Sequence, residues 1–411
     1  MLFDPYSADF QDNPYPAYAR LRAETPAFYD DDWELTFFTR HVDVAGILKD
    51  RRFGREVTHA VPAEEIDRDL YDRTHPPSLP TWTRFIRGSF IDLEPPRHTR
   101  IRRLVQGAFT KRSAESYKSQ IEALASSLMD AALDSGEMEA IADYATPIPL
   151  AMIASILGVP AQDQRQLVTW SHAIVRVFDK QCTPLEALAA EAAVTDFADY
   201  LTEHFSVRRQ HPGDELIDAL ISARFEGDRL SQEELVATCI LVLNAGHEAT
   251  VHGIGNSLVA LAAHPEQFRW LRDNHTSVAR AVDELLRYDS PLQMFERWVL
   301  EDLDWGQGEA KQRLQRGTKV GLLFGSANRD ESTFDEPDDL VLSRIDNPYV
   351  SFGGGIHYCV GAPLAKIEME VALTEFARRV DDFTIPSQLD RVPSLVFRGV
   401  RALPMQLSSK P

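Results

Sequence analysis

The chain has 411 residues, and its 43 Lys and Arg against 63 Asp and Glu give a net charge of −20 at pH 7. This acidic excess argues against a nucleic-acid partner or anionic lipid, and 44% hydrophobic with 26% charged residues excludes a disordered or fibrous chain. The 3 cysteines are too few for a disulfide framework, and no apolar run reaches the roughly 20 residues of a membrane span, so we expect a monomeric cytoplasmic protein without a membrane anchor.

Helical periodicity dominates the chain. Apolar residues recur at three- and four-residue spacing over 114–133, 162–178, 185–208, 232–262, 278–287 and 362–379. Strand-like runs are short and lie at 33–40 and 319–324, with a weaker one at 394–398. The proline-rich stretch 62–80 predicts a long loop.

These elements predict a single, mainly α domain over 1–411 with small β-sheets at one side. No internal repeat, low-complexity tract or linker rich in Gly or Ser divides the chain. The β-rich portions are expected near 28–40, 296–325 and 383–411, and the helical core over 95–290 and 362–380.

The helix predicted over 232–262 is about 45 Å long, enough to cross the whole domain. Ser231 and Glu234, three residues apart, predict a capping box at its start. Gly246 and Glu248 interrupt its apolar middle, where glycine costs about 1 kcal/mol and a buried carboxylate needs a partner or a raised pKa. Such exceptions cluster at functional sites. Close helix packing, with Glu248 in a structural ion pair, is an equally good interpretation.

The segment 352–361 reads Phe-Gly-Gly-Gly-Ile-His-Tyr-Cys-Val-Gly and places Cys359 just before a helix that Pro363 can begin. A helix N-terminus should stabilise a thiolate there, which could be a nucleophile, a redox switch or a metal ligand. Zinc sites and iron–sulfur clusters need about four ligands. A cysteine hydrolase needs an oriented base, and nothing marks the group that would orient His357. One cysteine in a flat glycine-rich loop suits axial ligation of a haem.

The pattern Phe352-x-x-Gly355-x-x-x-Cys359-x-Gly361 resembles the cysteine-loop signature of the cytochrome P-450 superfamily. The resemblance covers nearly the whole chain and implies the cytochrome P-450 fold, with the long central helix over haem b and Cys359 as axial ligand. The implied function is that of a haem-thiolate monooxygenase, which inserts one oxygen atom from O₂ into a C–H bond of a hydrophobic small molecule. The implied electron donor is a ferredoxin or flavodoxin with its reductase.

The motif 245–250 (Ala-Gly-His-Glu-Ala-Thr) resembles the family's oxygen-binding helix, with Glu248 as the acid that relays protons. Most members place Thr directly after the acid. Here Ala249 stands at that position, and Thr250 follows about 100° further round the helix. We expect an ordered water or a substrate hydroxyl to complete the relay. Glu248, Ala249 and Thr250 are thus the predicted catalytic positions.

This departure makes a peroxygenase, or another atypical haem-thiolate oxidase, the alternative enzymatic function. A haem-based sensor or electron carrier is the non-enzymatic alternative. A carrier, however, needs neither a substrate pocket nor an acid on the distal helix.

The resemblance also assigns cofactor and structural residues. His98, Arg102, Arg297 and His357 would bind the two haem propionates, which need donors and cations nearby. Glu284 and Arg287, the family's Glu-x-x-Arg pair, would form a buried structural network with Arg344. The full set of implied haem contacts is Ala245, His98, Arg102, Arg297, Phe352, Gly353, His357, Cys359 and Gly361.

Two further features follow by position. The window 97–112 contains six cations and no acid, which predicts docking of an acidic redox partner, although a solvated helix face is the usual meaning of such a run. The six are Arg97, Arg100, Arg102, Arg103, Lys111 and Arg112.

The implied substrate pocket is apolar, with plain core packing as the alternative at each position. It comprises Phe85, Phe90, Ile91, Leu243, Leu292, Met294, Phe295 and Val396.

Overall fold

The computed structural model describes residues 3–107, 109–223, 227–308 and 311–409. Within them the predicted mainly α class with small sheets is confirmed. The helices are α1 (Ala8–Asp12), α2 (Tyr15–Glu24), α3 (His41–Ile47), α4 (Arg68–Thr74), α5 (Pro80–Trp82), α6 (Arg97–Gln106), α7 (Lys111–Ser116), α8 (Lys118–Ser135), α9 (Pro147–Ile156), α10 (Gln164–Val175), α11 (Pro184–Gln210), α12 (Leu216–Ser222), α13 (Gln232–Ala263), α14 (Pro265–Asp273), α15 (Val278–Tyr288), α16 (Phe324–Ala327) and α17 (Ala362–Arg379).

The strands form one mixed sheet and three small antiparallel ones. The largest has the order β1-β2-β8-β5-β3, in which β2 and β8 are parallel. The others are β4-β12-β9, β6-β7 and β10-β11. The strands are β1 (Ala27–Asp30), β2 (Leu35–Phe38), β3 (Phe53–Gly54), β4 (Glu137–Glu139), β5 (Met294–Val299), β6 (Leu303–Trp305), β7 (Gln312–Leu314), β8 (Lys319–Leu323), β9 (Val380–Thr384), β10 (Asp390–Arg391), β11 (Val400–Ala402) and β12 (Pro404–Ser409).

The central helix α13 confirms the prediction over 232–262 to within one residue. The predicted capping box is present: the Glu234 amide donates to Ser231 Oγ at 3.2 Å, and the Ser231 amide donates to Glu234 Oε2 at 2.9 Å. The helix packs against α9, α11, α15 and α17, so it is buried on most of its surface. A Cβ on Gly246 would lie 2.6 Å from Ile153 Cδ1. Glycine at this position therefore lets α9 approach α13 closely.

A buried charge network lies in the segment that leads to the cysteine loop. Glu284 and Arg287 have no exposed surface and form an ion pair at 2.7 Å, and Arg344 Nε donates to Glu284 Oε2 at 3.0 Å. Arg287 also donates to the carbonyl oxygens of Asn328 and Pro337, at 2.9 and 2.7 Å. The structure thus brings the three expected residues together and ties α15 to the segment that follows α16.

Three local predictions were wrong. The stretch 62–80 contains α4, because Asp67 accepts a hydrogen bond from the Leu70 amide (3.0 Å) and starts a helix there. The weak strand at 394–398 is absent, and Phe397 makes only a single bridge to Leu292. Strand β4 lies inside the predicted helical core because it pairs with the distant β12. Among the described helices, none combines the length and apolar character needed to cross a bilayer.

Candidate active site

The cysteine loop connects the end of the charge network to α17. Gly353 and Gly355 have φ of +70° and +64°, in the left-handed region that favours glycine. At Gly355 a Cβ would also overlap the carbonyl oxygen of Leu48 at the end of α3. The Cys359 amide donates to the Phe352 carbonyl at 3.0 Å, which closes the loop. The sulfur is therefore held directly ahead of the α17 N-terminus.

The pKa of the Cys359 thiol is raised. Burial raises it by more than the Gly361 and Ala362 amides and the Arg102 guanidinium lower it. The amides at the start of α17 thus favour the thiolate, as expected, but burial outweighs them in the chain alone. A coordinating metal ion deprotonates a thiol outright. Arg102 itself donates to the Tyr358 carbonyl at 2.5 Å and so lies against this loop.

Two histidines lie next to each other beside the loop, and three of their ring nitrogens make no hydrogen bond. The rings of His98 and His357 lie 4.5 Å apart, and His357 Nε2 is 3.1 Å from Glu94 Oε1. Both ring nitrogens of His98 and Nδ1 of His357 are buried without a hydrogen-bond partner. Burial and the neighbouring His357 and Arg102 lower the pKa of His98 to about 4. Buried polar atoms without partners are rare in native chains, and a water, an ion or a ligand can satisfy them.

Arg297 on β5 is a further buried polar group of the predicted cofactor site. It is 3% exposed, and its guanidinium donates to the Glu296 carbonyl at 2.9 Å. Among the described residues no carboxylate lies within ion-pair distance of it. Burial and the adjacent Arg55 lower its pKa to about 9. An uncompensated buried guanidinium fits an acidic ligand group, as the propionates of a haem would supply.

Sequence reasoning missed Arg55 and its partners. Arg55 Nε donates to Asp92 Oδ1 at 2.9 Å, and the guanidinium lies 4.2 Å from the centre of the Phe295 ring. Its own amide donates to Glu94 Oε1 at 2.7 Å. These contacts join segments far apart in the chain, and no motif marks them. Together they position Arg297 and His357.

The middle of α13 exposes one face. Ala245 is exposed and Ala249 is half-buried, while the residues between them and around them are mostly buried. Because the two are four residues apart, they lie on the same side of the helix. The structure therefore opens a space along the Ala245–Ala249 face.

Glu248 is buried among three histidines. Its Oε1 lies 3.3 Å from His172 Nε2 and 3.7 Å from His247 Nδ1, and its Oε2 lies 3.8 Å from His252 Nε2. Burial alone would raise the pKa of Glu248, but the histidines outweigh it and the pKa is lowered. The partners that the structure gives this carboxylate, in place of an unspecified structural ion pair, are three histidines. No local signal in the sequence places His172, on α10, at this carboxylate.

Thr250 faces a different helix. It lies about 200° round α13 from Glu248, and its hydroxyl donates to the Gly246 carbonyl at 3.3 Å. The same hydroxyl lies beside Glu368 on α17, a carboxyl whose burial raises its pKa to about 8. Thr250 thus does not reach the Glu248 side of the helix.

The cytochrome P450 family model matches residues 66–280 and 272–389 of the chain. The chain belongs to the cytochrome P450 family. It is 35% identical to the biotin biosynthesis cytochrome P450 of Bacillus subtilis over 97% of both chains, and 34% identical to the vitamin D(3) 25-hydroxylase of Pseudonocardia autotrophica over 99% of this chain and 97% of that one. Its fold matches the crystal structure of P450BioI in complex with hexadec-9Z-enoic acid ligated acyl carrier protein, with a TM-score of 0.87, 32% identity, and coverage of 98% of this chain and 99% of that one.

As a cytochrome P450, the protein is a haem-thiolate monooxygenase. The family binds haem iron through a cysteine thiolate and uses O₂ with electrons from redox partners. The unpartnered ring nitrogens of His98 and His357, the buried guanidinium of Arg297 and the Cys359 thiol fit such a cofactor. This confirms the family and the function class predicted from the cysteine loop.

The predicted pocket residues of this P450 fall into two groups. Leu292, Phe295, Val396 and Ile91 are partly exposed, and the Gln293 amide donates to the Val396 carbonyl at 2.8 Å, which brings the 292–295 segment to the C-terminal turn. The rest are buried in the hydrophobic core: Phe85, Phe90, Leu243 and Met294.

The predicted cationic window is partly neutralised within the P450 itself. Arg100 forms ion pairs with Asp228 (3.0 Å) and Glu234, neither of which is near it in sequence. A count of charges within the window missed these partners, because Asp228 lies just before α13 and Glu234 lies in its first turn. The exposed cations of the window are Arg97, Arg103, Lys111 and Arg112.

Proposed function

We propose that this P450 holds haem b with Cys359 Sγ as axial ligand and inserts one oxygen atom of O₂ into a C–H bond of a hydrophobic small molecule. The observation that carries the proposal is the cysteine loop, which presents one half-buried thiol ahead of a helix N-terminus beside buried ring nitrogens that lack partners. When bound, the haem supplies O₂ binding and reductive O–O cleavage, which thiolate ligation favours.

The chain's own residues would hold the cofactor at its iron and at its two propionates. Cys359 supplies the ligand, and the glycines of its loop leave room for a flat ring. Arg297, His98 and His357 would bind the propionates, since each offers a buried donor and Arg297 an uncompensated charge. We further infer contacts from Arg102, Phe352, Gly353, Gly361 and, on the opposite face, Ala245.

Glu248 is the residue that we propose delivers protons to the site. Its lowered pKa keeps it ionised near neutral pH, so a proton that it takes up is released again quickly. His172 is exposed and 3.3 Å away, which offers a route from solvent to the carboxylate. Because Ala249 has no hydroxyl and Thr250 faces Glu368, we infer that an ordered water or a substrate hydroxyl continues the path toward the Ala245–Ala249 face.

The substrate is inferred to be hydrophobic, because the partly exposed pocket positions are apolar. One relative named above is a vitamin D(3) 25-hydroxylase, and P450BioI was solved with hexadec-9Z-enoic acid ligated acyl carrier protein, which agrees with this inference. An acidic ferredoxin or flavodoxin, with its reductase, is the proposed electron donor, since the window 97–112 has four exposed cations and its Arg102 contacts the cysteine loop.

The deciding experiment is the absorption spectrum of reduced, CO-treated protein. Thiolate ligation moves the Soret band far to the red, and we expect this in the wild-type chain. Cys359→Ser should lose the band and the oxygenation activity, whereas the matched Cys182→Ser, at a half-buried cysteine outside the site, should retain both. Retention of both in Cys359→Ser would overturn the proposal.

A peroxygenase is the second candidate, and the placement of Thr250 favours it. A path without the usual hydroxyl delivers protons less directly, and peroxide would bypass the two-electron reduction. Turnover with peroxide alone, compared with turnover with ferredoxin, reductase and O₂, separates the two functions. Faster turnover with peroxide would replace the monooxygenase proposal.

A further inference from the structure

His172, His247 and Glu248 form a cluster that joins two helices. His172 lies on α10, and the other two are adjacent on α13. Each offers one ligand atom, and these three atoms lie within 4.8 Å of one another. Within the described ranges, no other group of three His, Cys, Asp or Glu side chains meets that condition.

The spacing is close to that of a metal centre. Zinc binds His nitrogen and carboxylate oxygen at about 2.0–2.2 Å, so two ligands of a tetrahedral ion lie about 3.3 Å apart. Glu248 Oε1 is 3.3 Å from His172 Nε2 and 3.7 Å from His247 Nδ1. His247 must therefore move a few tenths of an ångström toward the carboxylate, and the ring centres of the two histidines are 6.0 Å apart.

The same side chains lack other partners. His247 is 1% exposed, and neither of its ring nitrogens makes a hydrogen bond. Glu248 Oε1 is also buried without one. His172 is exposed and leaves a fourth position open to water. His252 Nε2, 3.8 Å from the other carboxylate oxygen, can support the ligand from behind.

The donor set selects the type of ion. Two imidazoles and one carboxylate suit zinc and its neighbours among the first-row transition metals. Calcium and magnesium prefer six or more oxygen ligands and should bind poorly.

We propose that His172, His247 and Glu248 bind a divalent transition metal of the zinc class, with water as the fourth ligand, and that this metal inhibits the enzyme. The ion fastens α10 to α13 and withdraws the Glu248 carboxylate from proton transfer. The binding itself stands independently of the proposed function. The inhibition rests on the proposed role of Glu248.

Calorimetric titration of the tag-free ferric holoenzyme with ZnCl₂ tests the site. We expect one zinc ion per chain, and His172→Gln should weaken its binding by roughly tenfold or more. His211→Gln, at an exposed histidine that follows the end of α11, is the matched control and should leave zinc binding unchanged. MgCl₂ in place of ZnCl₂ should give no binding to the wild-type protein. Absence of zinc binding, or equal binding by His172→Gln and wild type, overturns the site.

Glu248→Gln is a second test at a ligand that is buried. It should also weaken zinc binding, and a retained CO spectrum shows that the variant has folded. Turnover completes the experiment: zinc should slow the wild-type enzyme at concentrations that leave His172→Gln at its own zinc-free rate. Binding without inhibition would refute the role of Glu248 in proton transfer. Failure of binding would leave the oxygenase proposal intact.

Discussion

The cysteine loop and the middle of α13 carry two parts of the proposed chemistry, and they differ in how their polar groups are partnered. Around the loop, the Glu284–Arg287 network has every charge bonded at 2.7–3.0 Å, and glycines fix the backbone. On α13, Glu248 is surrounded by three histidines at 3.3–3.8 Å. A ligand to iron requires fixed geometry, whereas a proton carrier requires partners that can change.

The largest effect is expected in the support of the cysteine loop. Arg287→Ala leaves Glu284 buried without its main partner, and loss of one member of a buried pair costs about 3–5 kcal/mol. The free energy of unfolding, from denaturant titration, should fall by that amount. Arg378→Ala removes an exposed pair of the same i,i+3 spacing with Glu375 and should change it by less than about 0.5 kcal/mol. Similar losses in both variants would show that the buried network contributes no more to the free energy of unfolding than an exposed ion pair does.

The next effect concerns α13. Glu248→Gln keeps the shape of the side chain but cannot carry a proton, so product formation should fall by roughly a hundredfold. The folding stability should change little, in contrast to Arg287→Ala. Glu370→Gln, at a half-buried carboxylate on α17, is the control and should turn over normally. Unchanged product formation per O₂ consumed in Glu248→Gln would contradict the assignment.

The loop itself allows a finer test with two glycines. Gly355→Ala adds a Cβ that overlaps the Leu48 carbonyl and also imposes positive φ on alanine. Within the chain itself Gly353→Ala has only the φ penalty, since no protein atom beyond its chain neighbours lies within 4 Å of its Cβ. We expect Gly353→Ala to cost about 1 kcal/mol and Gly355→Ala clearly more. Haem content and the free energy of unfolding measure both. Equal losses would mean that backbone strain alone determines the loop.

The smallest effect concerns electron transfer at the surface near the loop. Arg103→Glu should slow reduction by an acidic ferredoxin several-fold, and added salt should slow the wild type, because exposed charges are screened within about 10 Å at 0.1 M ionic strength. Arg165→Glu, exposed in the first turn of α10, is the matched charge reversal and should have no effect. A rate independent of salt and of Arg103 would place docking elsewhere.

Local signals in the sequence predicted the features whose cause is local. The glycine spacing around Cys359, the capping box of Ser231 and Glu234, and the apolar periodicity of α13 each act within one loop or helix. They were sufficient to predict the family and the fold class. The Asp67 cap that begins α4 is also a local signal, and reading 62–80 only by its prolines missed it.

Long-range pairings were not accessible in the same way. Nothing near Glu248 in the sequence indicates that His172 lies beside it, and nothing near Arg100 indicates Asp228. Arg55 is likewise joined to Asp92 and Glu94 only by the fold. A charge count along the chain therefore overestimated the cationic face of α6.

The sequence by itself determined that a single cysteine precedes a helix in a glycine-rich loop, because backbone conformation follows from adjacent residue types. Only the tertiary structure decided the state and neighbours of the functional groups. Burial raises the pKa of the Cys359 thiol, and three histidines from two helices lower that of Glu248. Both shifts depend on the solvent excluded and the charges assembled by distant segments, and these are set when the chain packs.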